Sequence, residues 1–324
     1  MSTKTCLEVS PSCPVTATTY GYYPNLGGNI FFTIIFALCG VAQLYFSLRF
    51  RSWTFAIALI IGTFLEMAGY IGRILMHSNP WDAGAFKLQI VALVLAPSFI
   101  AAGIYLTLKH IILNLGSEYS KLKPRLFTWI FIGCDVGSLF LQAAGGGVAA
   151  SAEDDLDMTT TGNNIIIAGI VFQVVTMAVC GVLAVDFFVR VYRRGGGFSA
   201  AAAASRGEKM VRLDEMRGVE SRVEGADGNG VLVQGAATTA GEGVTARQLK
   251  IVVVAEIVAY VTVLIRCIYR IPEMAGGWGN PLMQREDEFL VLDGMMIAIA
   301  CITLTAFHPG LYLPSLRKGA SNKT

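Results

Sequence analysis

Long apolar stretches separated by short polar ones set the pattern of this chain, at residues 29–48, 53–75, 88–108, 126–149, 164–188, 249–271 and 289–313. Each is at least as long as the roughly 20 helical residues that cross a hydrocarbon layer about 30 Å thick. Period-2 alternation is missing, so helices are preferred over a membrane barrel. The pattern predicts an all-α, polytopic membrane protein, a bundle of seven transmembrane helices over residues 29–313. A polar segment, 1–28, precedes it and a short polar tail, 314–324, follows. The connection 190–248, with its triple glycine, alanine run and scattered charges, has no sustained apolar face and reads as a disordered cytoplasmic loop.

Composition agrees with this reading. Of 324 residues 54% are hydrophobic and only 15% charged, and the mean hydropathy is +0.58, outside the range of ordinary soluble domains. Basic and acidic residues nearly balance, 25 against 23, which argues against a nucleic-acid partner. Their placement is informative: 19 of the 25 basic residues fall in or at the borders of the first, third and fifth connections and the tail. The positive-inside rule then puts the N-terminus outside and the C-terminus in the cytosol. Segment 1–28 lacks an apolar core before a cleavage site and does not read as a removable signal. The acidic connection around Glu153 would also be exterior. Cys6 and Cys13, on that same oxidising side, are candidates for a disulfide; the other five cysteines lie in apolar runs and read as core residues.

Ionisable groups inside the runs carry the functional signal, because such groups are costly in a bilayer and face protein or a wet cavity. Glu66, Tyr70 and Arg73 follow one another at spacings of four and three, on one helical face about 10 Å long. Counting residues from the membrane boundary puts Glu66 and Asp293 at similar depth to Arg73, Arg266 and Arg270, which predicts mutual pairing. Such pairing either locks helices together or lines a polar site. Asp135 and Gln142 share a face of the fourth helix, and Pro97 is expected to free a carbonyl and kink the third. The glycines Gly145, Gly146 and Gly147 permit close backbone approach or local unwinding.

Some chemistry has no support in the sequence. It holds no phosphate-binding loop, nucleophile elbow or zinc-binding helix motif, and its three histidines are far apart. No enzyme activity, metal or cofactor is expected.

Several of these blocks together resemble a known family. Glu66-x-x-Gly69-Tyr70-x-x-Arg73, Leu95-Ala96-Pro97 followed by Tyr105, Asp135-x-x-Ser138-x-x-x-Gln142, Arg266-x-x-Tyr269-Arg270-x-x-Glu273, and Asp293 followed by His308-Pro309-Gly310 are similar to the fungal lipid-translocating exporters, the RTA-like or aminocholesterol-resistance-like proteins. Leu290 departs from the tyrosine common there. The resemblance implies a seven-helix translocator or exporter of lipid-like amphiphiles, among them sphingoid long-chain bases, sterol-like toxins and porphyrins, conferring resistance to them. It implies membrane lipids or lipid-like small molecules as partners and the plasma membrane, or alternatively another endomembrane, as setting. The alternative from topology is a seven-helix receptor or sensor of lipid-like ligands, for which Pro309-x-x-Tyr312 is the matching feature. The residues expected to bind or pass substrate are Glu66, Tyr70, Arg73, Tyr105, Asp135, Gln142, Arg266, Tyr269, Arg270, Glu273 and Asp293.

Overall fold

The computed structural model describes residues 6–50, 53–151, 156–194, 246–277 and 279–312. Its regular elements are helical: α1 Leu26–Phe50, α2 Trp53–Ser78, α3 Ala83–Leu115, α4 Pro124–Ala150, α5 Leu156–Arg194, α6 Ala246–Ala275, α7 Glu286–Ala306 and the short α8 Pro309–Tyr312. The first seven are long and apolar enough to cross a membrane. Their starts have local causes. The Asn25 carboxamide accepts the Gly28 N–H at 2.8 Å ahead of α1, Asp82 accepts from Gly84 and Ala85 ahead of α3, and Pro124 sits in the first turn of α4, where no N–H is needed.

Polarity is inverted relative to a soluble protein. Glu66, Arg73 and Asp293 are 0% exposed, whereas Phe140 is 72% and Val182 69% exposed. On α5 the outward stripe Val171, Val175, Val179, Val182, Val185 and Val189 repeats at helical spacing. Apolar faces of this extent suit acyl chains, and the chain is a multi-pass membrane protein.

Small residues let the helices approach. A Cβ on Gly69 of α2 would stand 2.5 Å from the Leu93 side chain of α3, and one on Gly72 2.9 Å from the Ala85 carbonyl. Between α4 and α5, a Cβ on Gly145 would meet the Gly162 carbonyl at 2.7 Å, while Gly146 and Gly147 face open space. Of the three consecutive glycines, therefore, one makes the close approach. The central core takes Phe36 from α1, Leu59 from α2, Ile100 from α3, Met177 from α5, Val263 from α6 and Ile297 from α7.

Several boundaries differ from the sequence expectation. α3 and α5 run past their apolar stretches at both ends, and the N- and C-terminal parts of the expected loop 190–248 are the end of α5 and the start of α6. The seventh span ends at Ala306 rather than at 313. Pro309 disfavours helix at the preceding residue and starts α8 instead. There His308 is enclosed by Phe46, Phe50 and Phe55, and burial lowers its imidazole to about 4. Residues 195–245, the acidic connection at 152–155 and the tail from 313 lie outside the described residues.

Candidate functional site: a buried charged centre beneath an N-terminal strap

Residues 6–25 form a strap across one end of the bundle. A disulfide joins Cys6 to Cys13, with Cα atoms 5.9 Å apart. The Cys13 carbonyl accepts from the Trp81 indole at 3.3 Å, and the Leu7 carbonyl from Asn79 at 2.8 Å. Tyr20 is buried among Met76, Ala85 and Phe86, and its hydroxyl accepts from Gln89 at 2.7 Å. Burial pushes that phenol up to about 12, so it stays neutral at physiological pH.

Arg73 fastens the strap to the bundle. Its Nε donates to Asn29 of α1 at 3.0 Å and its Nη2 to the Tyr22 hydroxyl at 3.1 Å. The same Nη2 makes an ion pair with Glu286 of α7 at 2.8 Å, and Glu286 also accepts the Asn25 N–H. The guanidinium lies over the Phe289 and Tyr20 rings, 4.3 and 5.4 Å from their centroids. The predicted pairing of Arg73 with Glu66 or Asp293 is therefore not what forms. Seven residues along the helix place Arg73 two turns from Glu66, and its long side chain reaches the strap instead.

Below this latch lies a second arrangement with the opposite balance. Arg266 of α6 pairs through Nε with Asp293 at 3.0 Å, and its Nη2 stands 4.0 Å from Glu66. One guanidinium thus serves two carboxylates that are each 0% exposed. Arg266 Nη2 also donates to the Leu93 carbonyl of α3 at 2.6 Å. That acceptor exists because of Pro97. In an uninterrupted helix the N–H of residue 97 would bond the carbonyl of residue 93, and proline has none. The predicted free carbonyl is taken by an arginine from another span, and α3 continues as helix through the proline.

Asp293 belongs to a π-helical turn, Leu290–Met295, inside α7. Such turns are often found at functional sites. The next residue, Gly294, admits Tyr70: a Cβ there would lie 2.5 Å from the Tyr70 hydroxyl. Tyr70 packs against Phe32 and Phe36, and among the described residues its hydroxyl has no hydrogen-bond partner. Arg270 does not join Glu66 or Asp293 directly. It pairs with Glu273, three residues on, at 2.6 Å. Tyr269 is buried on the same helix with its hydroxyl unpartnered.

The remaining predicted residues lie elsewhere. Gln142 donates to Gln173 of α5 at 3.2 Å, which donates to Ser98 of α3 at 3.0 Å, a chain that ties three helices together. Tyr105 and Asp135 lie next to each other in a second apolar cluster. Sequence reasoning passed over Asn29, Glu286 and Glu256. Glu256, 5% exposed, carries the same signal as Glu66, an acid inside an apolar run, but no arginine accompanies it in the sequence. Among the described residues, no cluster of His, Cys, Asp and Glu is arranged to hold a metal.

Seven spans enclosing one guanidinium shared by two buried carboxyl groups define a polytopic membrane protein with a buried charged site. The sequence matches the model for the RTA1 like protein family over residues 59–316, and the chain belongs to that family. It is 34% identical over 291 residues to the sphingoid long-chain base transporter RSB1 of Saccharomyces cerevisiae, covering 90% of this chain and 73% of that one. It is also similar to two other Saccharomyces cerevisiae proteins. One is protoporphyrin uptake protein 1, 36% identical over 46% of this chain and 49% of the relative. The other is protein RTM1, 37% identical over 38% of this chain and 39% of the relative. No solved structure matches.

Proposed function

We propose that the protein translocates amphiphilic amines of the sphingoid long-chain-base type across its membrane and thereby confers resistance to them. The observation that carries this reading is the shared guanidinium: Glu66 and Asp293, both buried, have Arg266 between them. With Arg270 and Glu273 neutralising each other, the ionised centre holds one more negative charge than positive. A buried excess charge is costly, and an ammonium headgroup offsets it. Tyr70 and Tyr269, with unpartnered hydroxyls, supply polar contacts for the headgroup's neighbouring oxygens. Apolar helix faces take the tail. The name of the RSB1 relative, a sphingoid base transporter, supports the substrate class.

The clustering of Lys and Arg in alternate connections supports an exterior strap and a cytosolic C-terminus. A plasma-membrane location fits the resistance role. In this orientation the charged centre sits in the outer half of the bilayer, beneath the strap.

The test is movement of a fluorescent sphingoid base in liposomes containing only this protein, beside a phospholipid and a sterol. Wild type is expected to move the base. Glu66→Gln should lose at least roughly tenfold of that rate, equivalent to about 1.4 kcal/mol, with folding unchanged. Retention of the full rate by Glu66→Gln would remove the assigned role.

A further inference from the structure

The charged centre does not account for every ionisable group in the bundle. Asp135 of α4 and Glu256 of α6 are 2% and 5% exposed; among the described residues neither Glu256 oxygen has a hydrogen-bond partner, and Asp135 has only the Tyr105 hydroxyl beside it. Asp135 lies one turn past Phe131 and Glu256 one turn past Val252, and those two side chains pack together with Tyr105 of α3 and Cys180 of α5. Tyr105, 0% exposed, brings its hydroxyl to the same place, beside Asp135.

The groups facing the two acids are a phenol and thiols. Cys180 of α5 is near enough to feel the charge of both Asp135 and Glu256. Tyr260, one turn from Glu256, gives its hydroxyl to the Met177 carbonyl. Toward the charged centre, Cys267 feels Asp135 as well as Arg266 and Asp293. Among the described residues no base acts on Asp135 or Glu256 themselves, which sets the pair apart from Glu66 and Asp293.

An ionised carboxylate enclosed without a cation is costly, so each acid either carries a proton or takes up a cation. At 2% and 5% exposure neither acid is open to a hydrated ion or an amine in this conformation. The proton is the cation that fits. We propose that Asp135 and Glu256 form a proton-binding relay through which the bundle exchanges a proton for the ammonium headgroup held at Glu66 and Asp293. One ammonium leaving for one proton entering keeps the charge balanced, and a pH gradient can then drive the amine uphill. This rests on the amine-translocation reading above.

The probe is a sphingoid base with a quaternary trimethylammonium head and a fluorescent tail, which cannot carry a proton across the lipid itself. In protein-only liposomes, wild type should move it downhill without a pH gradient and accumulate it several-fold with one. Glu256→Gln should keep downhill movement within about twofold and lose the accumulation. Glu256→Asp, which keeps the acid, should recover it. Independently, infrared difference spectra of the purified protein across a pH step should contain the carbonyl band of a protonated carboxylic acid that disappears in Asp135→Asn and in Glu256→Gln.

Gradient-driven accumulation that persists in Glu256→Gln, or a wild type indifferent to the gradient, overturns the relay. Absence of even downhill movement in wild type would instead defeat the translocation reading. The infrared band then still decides whether the two acids bind protons: its loss in the variants supports the site, and an unchanged spectrum refutes it.

Discussion

Arg73 and Arg266 are both buried arginines of the same bundle, and they are neutralised in opposite ways. Arg73 has a carboxylate, an amide oxygen, a phenol and two ring faces to itself. Arg266 divides its charge between two carboxylates and adds a main-chain carbonyl. The first matches one charge to one carboxylate and reads as a fastening. The second leaves a carboxyl group over, which is the property a cation site requires. Burial of charge alone does not separate the two roles; the ratio of partners to charges does.

Removing the shared cation should have the largest effect. Arg266→Met leaves two buried acids without a counter-charge and should cost about 3–5 kcal/mol, read as a fall in melting temperature in detergent. Adding Asp293→Leu to that variant should recover part of the loss. A reference comes from the other end of the bundle, where His308 has no charged partner among the described residues. Its folded-state value, about 4, lies below the ordinary 6.5, so the unfolded chain binds the proton first and stability falls as pH drops. The contribution is fully present above about pH 6.5 and should be lost between there and pH 4, on the order of 2 kcal/mol. His308→Gln should flatten that slope in a melting series against pH.

Arg73→Ala is expected to cost about 2 kcal/mol, since Glu286 is partly solvated and the remainder is ring and amide contact. It should show as faster proteolysis of residues 6–25, whereas Arg266 variants should leave the strap protected. Pro97→Ala has the smallest expected effect, about 1 kcal/mol, because the new N–H competes with Arg266 for the Leu93 carbonyl. Its signature is a changed pH dependence of transport with little change in melting temperature.

The seven spans were legible because the bilayer demands length, and the core of a soluble domain rarely needs apolar runs of 20 or so residues. Their ends were not, since helices such as α3 and α5 continue into polar sequence where hydropathy no longer reports them. The stacking of Glu66, Tyr70 and Arg73 on one buried face followed from spacing alone, and all three are 0% exposed. Which acid meets which arginine did not follow, because depth can be counted along a helix but rotation about its axis is set by the neighbours. Glu256 was legible as an acid in an apolar run, yet a search for opposite charges at one depth passes over an acid that has none. The freed carbonyl below Pro97 was readable from sequence; that Arg266 occupies it required three dimensions.

That occupied carbonyl has a consequence for any mutational survey of this bundle. Peptide oxygens neither titrate nor disappear on side-chain truncation, so replacing Leu93 will not expose this handhold of Arg266, and only a substitution that alters the main-chain bonding, such as one at Pro97, bears on it. The arginine keeps a fixed mooring to α3 through whatever protonation events its two acidic neighbours undergo, and only a change in the main chain itself can release it.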